Sequence, residues 1–197
     1  MIAIFGGAFN PPTIAHYEVA KHILSLPDVT KLLFVPVGDQ YEKAGLIPAF
    51  HRAKMLEIMI NGLSHASVST VEIEADRKLK TIETLEKLQA KYPEETLVFV
   101  MGADNLNDLT GWYNYQQLVT RFKMIIINRG ELDVYQLIKD HFDFAVDNFL
   151  IIDDFSKVDI SSSQYRQDLR RSDLLRSEVE AYIKKYNLYR CVTSGWK

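Results

Sequence analysis

The sequence predicts an α/β protein built on a doubly wound, mostly parallel sheet with helices on both faces and a C-terminal helical cap. Three observations predict it. Short apolar runs of strand length recur along the chain, segments with apolar residues at three- and four-residue spacing lie between them, and near the end two helical patterns follow one another with no strand between. Such alternation implies right-handed crossovers and places ligands at the carboxyl ends of the strands, near the point where the strand order reverses.

The first strand is expected over Ile2–Phe5, and it breaks into Gly6-Gly7-Ala8-Phe9-Asn10-Pro11-Pro12-Thr13 before a helix over Ile14–Leu26. Glycines let the backbone turn with φ > 0 and bring N–H groups close to an anion, while the next helix adds unpaired N–H groups and the positive end of its dipole. A polyphosphate is the expected guest. Thr13 and His16, three residues apart, fall on one helix face, with Thr13 placed to cap. Neither G-x-G-x-x-G nor G-x-x-x-x-G-K-[ST] is present, so a standard dehydrogenase and a P-loop NTPase are not indicated.

A second strand, Lys31–Val37, runs into a loop with Gly38, Lys43 and Gly45 before a helix over Phe50–Leu63. This glycine-punctuated loop can aim Lys43 at phosphates, whereas His51 and Arg52 read as a helix-start pair with structural hydrogen bonds. Val68–Ile73 reads as a third strand and Thr81–Leu88 as the helix after it, with Thr84 among its hydroxyls. The strand Leu97–Met101 ends in Gly102-Ala103-Asp104, where a carboxylate beside a glycine suits ribose hydroxyls or an adenine amine, or caps a helix. Trp112, in a Thr-Gly-Trp-Tyr-Asn turn, offers a π-face to a flat or cationic heterocycle.

A helix over Tyr115–Phe122, a strand over Met124–Asn128 ending at Arg129, a helix over Val134–His141 and a strand over Phe149–Ile152 complete the body. Ser161–Arg171 and Ser177–Tyr186 read as the two cap helices. Ser161, Ser162 and Ser163 present capping hydroxyls and free N–H groups to an anion, and Arg166 one turn on completes a charged clamp. The expected organisation is a body over 1–158, a helical cap over 159–189 that is too short for its own core, and a flexible tail over 190–197.

Composition fits an ordinary soluble globular chain of one domain: 197 residues, 47% hydrophobic and 25% charged. A net charge of −3 argues against a general nucleic-acid binder, so any phosphate binding is local. Cys191 is the single cysteine, which excludes an intramolecular disulfide, and no Cys/His cluster suggests a metal site. No apolar stretch approaches the ~20 residues of a membrane span, and no basic leader precedes the first strand, so a cytoplasmic location is the default.

The residues now carry a resemblance. Gly-Gly-x-Phe-Asn-Pro followed by Thr-x-x-His resembles the nucleotidyltransferase superfamily signature, with Ala15 in place of its usual glycine. Ile160-Ser161-Ser162-Ser163-Gln164-Tyr165-Arg166 resembles the superfamily's Ile-Ser-Ser-Thr-x-Ile-Arg, with Ser163 for threonine and Tyr165 for isoleucine. The segment from Pro36 through Lys43 to Arg52 is similar to that of eukaryotic-type nicotinamide/nicotinate mononucleotide adenylyltransferases, and the likeness runs from Gly6 to Tyr189. Lys80–Leu85 departs from the family's aromatic or Tyr-Thr helix start, though Thr84 keeps the hydroxyl.

The resemblance implies a Rossmann-like fold and an ATP-dependent adenylyltransferase that makes NAD or its deamido precursor and releases pyrophosphate, with both mononucleotides used. It implies an ATP site of Gly6, Gly7, Ala8, Phe9, Thr13, His16, Gly102, Asp104, Ser161, Ser162, Ser163 and Arg166. It places Asn10, Lys43, Thr84, Trp112 and Arg129 at the mononucleotide, with Trp112 stacked on the pyridine ring. His16, Lys43 and Arg166 are the expected catalytic groups, and Mg²⁺ is expected on the ATP phosphates rather than in a protein cage. ATP and the pyridine mononucleotide are the expected partners, with a homo-oligomer open. Two alternatives stand beside this reading: a sister nucleotidyltransferase acting on another phosphate such as pantetheine phosphate, and a non-catalytic nucleotide-binding regulator.

Overall fold

The computed structural model describes residues 1–128, 132–153, 155 and 160–189. Six parallel strands form one sheet in the order β3-β2-β1-β4-β5-β6: β1 Ile2–Gly7, β2 Lys31–Pro36, β3 Ala66–Val68, β4 Leu97–Gly102, β5 Lys123–Ile127 and β6 Phe149–Ile152. The helices are α1 Ile14–Ser25, α2 Ala49–Met59, α3 Thr81–Lys91, α4 Ala103–Asp108, α5 Tyr115–Arg121, α6 Val134–Phe142, α7 Ser162–Gln167 and α8 Ser177–Lys185.

Strand periodicity explains the layers. Alternate side chains of β1 go to opposite faces: Ala3 and Phe5 pack with α1, α2 and α8, whereas Ile2 and Ile4 pack with α3, α5 and α6. Strands buried on both faces read as continuous apolar runs, which is why the sequence announced them. Leu174, Leu175, Val179, Ile183 and Tyr189 share the core of the first face, so the C-terminal helices complete the body's own apolar layer.

The structure departs from expectation in three places. β3 occupies Ala66–Val68, before most of the expected Val68–Ile73 run. There Glu74 N–H donates to Thr70 O at 2.9 Å, and half-buried Val71 and Ile73 imitate the two-residue period from within a turn. α4 is a six-residue helix that the apolar period did not reveal. α7 stops at Gln167 rather than Arg171, where Asp168 turns to extended backbone and holds Arg170. Among the described residues no helix is long and apolar enough to cross a membrane.

Order reverses across β1: β2 and β3 lie on one side of it and β4 to β6 on the other. The carboxyl end of β1 is therefore the crevice in which this architecture holds ligands.

Candidate active site

Two adjoining cavities, of about 610 and about 890 Å³, open at that crevice. They share Ala8, Phe9, His16, Lys43 and Asp104. One lobe is lined further by Gly6, Gly7, Glu72, Thr84, Gly102 and Trp112, and the other by Asn10, Ser161, Ser162, Ser163 and Arg166. The chain's early loop and its late serine segment therefore meet.

The β1 loop is shaped by packing as well as by backbone freedom. Gly6 and Gly7 continue β1, and the positive φ expected of them falls on Phe9, at 46°. What the glycines supply is closeness: a Cβ at Gly6 would come within 3.2 Å of the Phe99 ring, and one at Gly7 within 3.1 Å of the Phe9 ring. Phe9 is buried, edge-on to Phe5 and to the His16 imidazole with centroids 5.5 and 5.1 Å apart, so it backs the histidine.

His16 is oriented by a reciprocal cap. Thr13 precedes α1 as its N-cap, its backbone N–H donates to His16 Nδ1 at 3.0 Å, and its hydroxyl lies 2.8 Å from the same nitrogen. A backbone N–H can only donate, so Nδ1 is the acceptor and the neutral ring carries its proton on Nε2. Thr13, expected on the phosphates, is 1% exposed and lines neither lobe. It holds the histidine from behind.

Arg52 anchors the loops beneath. Its side chain is wholly buried and donates to Ile47 O at 2.9 Å, Ala8 O at 3.0 Å and Val37 O at 2.6 Å. Burial depresses its pKa, an effect opposed by the nearby Asp39 carboxylate, which also accepts from Ala49 N–H at the start of α2. Arg52 is structural, as expected. His51 joins Tyr182 through Nδ1 at 3.0 Å, tying α2 to α8.

Asn10, expected at the mononucleotide, is 2% exposed and lines the other lobe. Its Nδ2 donates to Gly45 O at 2.8 Å, and its Oδ1 accepts from Tyr189 OH at 3.0 Å and Ile47 N–H at 3.3 Å. Such engagement makes it a hub behind the loop. Lys43 is exposed on the edge shared by both lobes.

The three serines divide their work. Ser161 caps α7, accepting from Gln164 N–H at 3.2 Å. Ser162 Oγ donates to Pro11 O at 2.7 Å, and Arg166 donates to Ser163 Oγ at 3.0 Å and to Asn10 O at 2.6 Å. α7 is thereby pinned across the β1 loop.

On the far side of the crevice, Gly102 is the N-cap of α4 and Asp104 stands in its first turn, so the carboxylate is not the cap. A Cβ at position 102 would overlap the Asp104 carboxylate, and glycine removes that clash. Trp112 is half-buried, closes the turn after α4 and meets Phe99 edge-on at 6.3 Å. Arg129 lies outside the described residues.

Glu72 was not singled out by the sequence. It lines the first lobe, accepts from Thr84 Oγ1 at 2.7 Å, and burial raises its pKa despite that hydrogen bond. Thr84 itself is 4% exposed, so its hydroxyl serves Glu72. Among the described residues no group of three or more His, Cys, Asp or Glu side chains comes together to hold a metal.

The cytidylyltransferase-like family model matches residues 4–168. A protein of Carboxydothermus hydrogenoformans named "Probable nicotinate-nucleotide adenylyltransferase" is 32% identical over 200 residues, which cover 96% of this chain and 98% of the relative. One of the same name from Acholeplasma laidlawii is 31% identical over 191 residues, covering 96% and 97%. The Plasmodium falciparum nicotinic acid mononucleotide adenylyltransferase complexed with NaAD superposes with a TM-score of 0.78 at 26% identity, over 95% of this chain and 96% of that one.

Proposed function

The chain belongs to the cytidylyltransferase-like family, beside the nicotinate-nucleotide adenylyltransferases, and on that premise we propose that it joins ATP to nicotinate or nicotinamide mononucleotide, giving deamido-NAD or NAD and pyrophosphate. The observation that carries this reading is the two-lobed crevice whose lobes meet at His16 and Lys43, a shape for two substrates around one junction.

The mononucleotide 5′-phosphate attacks the α-phosphorus of ATP in line; a new P–O bond forms, the bond to the bridging oxygen breaks, and pyrophosphate leaves. A phosphate dianion is already nucleophilic, so the protein's contribution is position and charge stabilisation. The β1 loop from Gly6 to Phe9 seats the phosphates, and His16 donates from Nε2 to the α/β region. Lys43 and Arg166 offset charge building on pyrophosphate, with Arg166 pre-set by Asn10 O and Ser163. Gly102 and Asp104 take the adenosine, and Trp112 stacks on the pyridine ring.

Mg²⁺ fits as a companion of ATP. The lobes share a single carboxylate, Asp104, which would face a Mg²⁺ carried in with ATP, and the ion would supply charge neutralisation there. The acid form of the substrate rests on the named relatives, and the amide form on the resemblance of the Pro36–Arg52 segment. A coupled pyrophosphate-release assay with ATP and each mononucleotide in parallel tests the reading. Release with either is expected, and its absence with both overturns the proposal.

A further inference from the structure

Lys43 sits at the junction of the lobes, yet among the described residues nothing grips its side chain, so its loop must be held elsewhere. The loop turns at Lys43–Leu46, where Leu46 N–H donates to Lys43 O at 3.1 Å and Gly45 adopts a φ of +70° that favours glycine. On either side of Leu46, Asn10 takes hold: its Nδ2 bonds Gly45 O and its Oδ1 bonds Ile47 N–H. A carbonyl only accepts and a backbone N–H only donates, so these two contacts fix which way the Asn10 amide faces. With the amide so oriented, Tyr189 OH is the donor in its 3.0 Å bond to the same Oδ1 and holds the Asn10 side chain in place.

Tyr189 reaches this place by an unusual backbone. After α8, Asn187 and Tyr189 adopt φ values of 51° and 67°, and Leu188 N–H returns to Ile183 O at 3.1 Å. Two non-glycine residues in the left-handed region persist only where surrounding contacts over-determine them. Here the turn drives the phenol inward to 5% exposure, edge-on to Tyr165 of α7 at 6.2 Å, and burial pushes its pKa up so that it stays a donor.

We propose that Tyr189 is a positioning residue for the transfer reaction: acting through Asn10 across 179 residues of sequence, it fixes the turn that presents Lys43 to the phosphates. The inference rests on the adenylyltransferase reading for its catalytic consequence, and on the hydrogen bonds alone for its mechanical one.

The test compares Tyr189→Phe, which removes only the hydroxyl, with the unaltered protein in two measurements. Amide hydrogen exchange should quicken about tenfold across 43–47, as expected for loss of one buried hydrogen bond, with the strands unchanged. Uniform quickening, or none, overturns the proposal. In pyrophosphate release, Tyr189→Phe should lower kcat/KM by roughly fivefold to tenfold alone and have no further effect in a Lys43→Ala background. Additive losses overturn it. Should the unaltered protein release no pyrophosphate, the functional reading fails while the exchange result still judges the tether. Asn10→Ala provides a second route: it should quicken the same segment, and an unchanged 43–47 exchange there counts against the proposal.

Discussion

The backbone N–H of Thr13 donates to Nδ1 of His16 at 3.0 Å, so the neutral imidazole carries its proton on Nε2. Removing a pre-oriented donor from a site of developing charge costs on the order of 10²- to 10³-fold in kcat. His16→Ala should show that loss with a much smaller change in substrate affinity, and steady-state kinetics with ATP titrated will read it. A near-normal kcat would remove His16 from the mechanism.

Arg52 has no substrate to touch, and its variants should fail in stability. Arg52→Met keeps the volume but leaves the carbonyls of Ala8, Val37 and Ile47 without their donor, at a cost of about 3 kcal/mol and roughly a 10 °C fall in Tm. Arg52→Lys should rescue little, because an ammonium lacks the planar fork that reaches three carbonyls. Calorimetry checks both.

Two glutamates should give stability opposite dependences on pH. Glu72 has its pKa raised by burial from the ordinary 4.5, so the folded state binds the extra proton; its contribution is full below pH 4.5 and lost as the pH rises through the native value. Glu83, held by Arg77 and by the Lys80 N–H, is lowered to about 2; its contribution is present above pH 4.5 and lost as the pH falls toward 2. Arg77 is exposed, so solvent screens the pair and its contribution to stability is small. Denaturant unfolding across pH 2 to 8 should show Glu72→Gln gaining stability at neutral pH, and Glu83→Gln losing it there but progressively less as the pH falls toward 2.

Trp112 should separate the two substrates. Trp112→Ala removes the stacking face and should raise the KM for the mononucleotide about tenfold while that for ATP moves little; Trp112→Phe should recover part of it. Equal changes in both constants would place the indole in packing alone.

The strand, turn and helix start around the β1 loop were legible because their message is local: a buried apolar run, two glycines and a capping threonine stand within a dozen residues. The strands β1, β2, β4 and β5 were legible for the same reason, each being a largely buried apolar run. The short β3 was not, since Val71 and Ile73 carry a strand's alternation inside a turn stabilised by Thr70 and Glu74. The resemblance put Asn10 at the mononucleotide, and its hydrogen bonds were hidden because nothing nearby in sequence announces Gly45, Ile47 or Tyr189 as its partners. Glu72 escaped notice because it becomes a site residue only when α3 brings Thr84 to it.

A guanidinium sealed beneath three carbonyls, one from the β1 loop and two from opposite ends of the β2–α2 loop, means that neither loop can swing away alone, since any departure would strand a buried cation. The receptacle therefore takes its final shape during folding and meets an incoming nucleotide ready-made. Ordering entropy that a floppy cradle would surrender on every turnover is surrendered once, when the polypeptide first collapses.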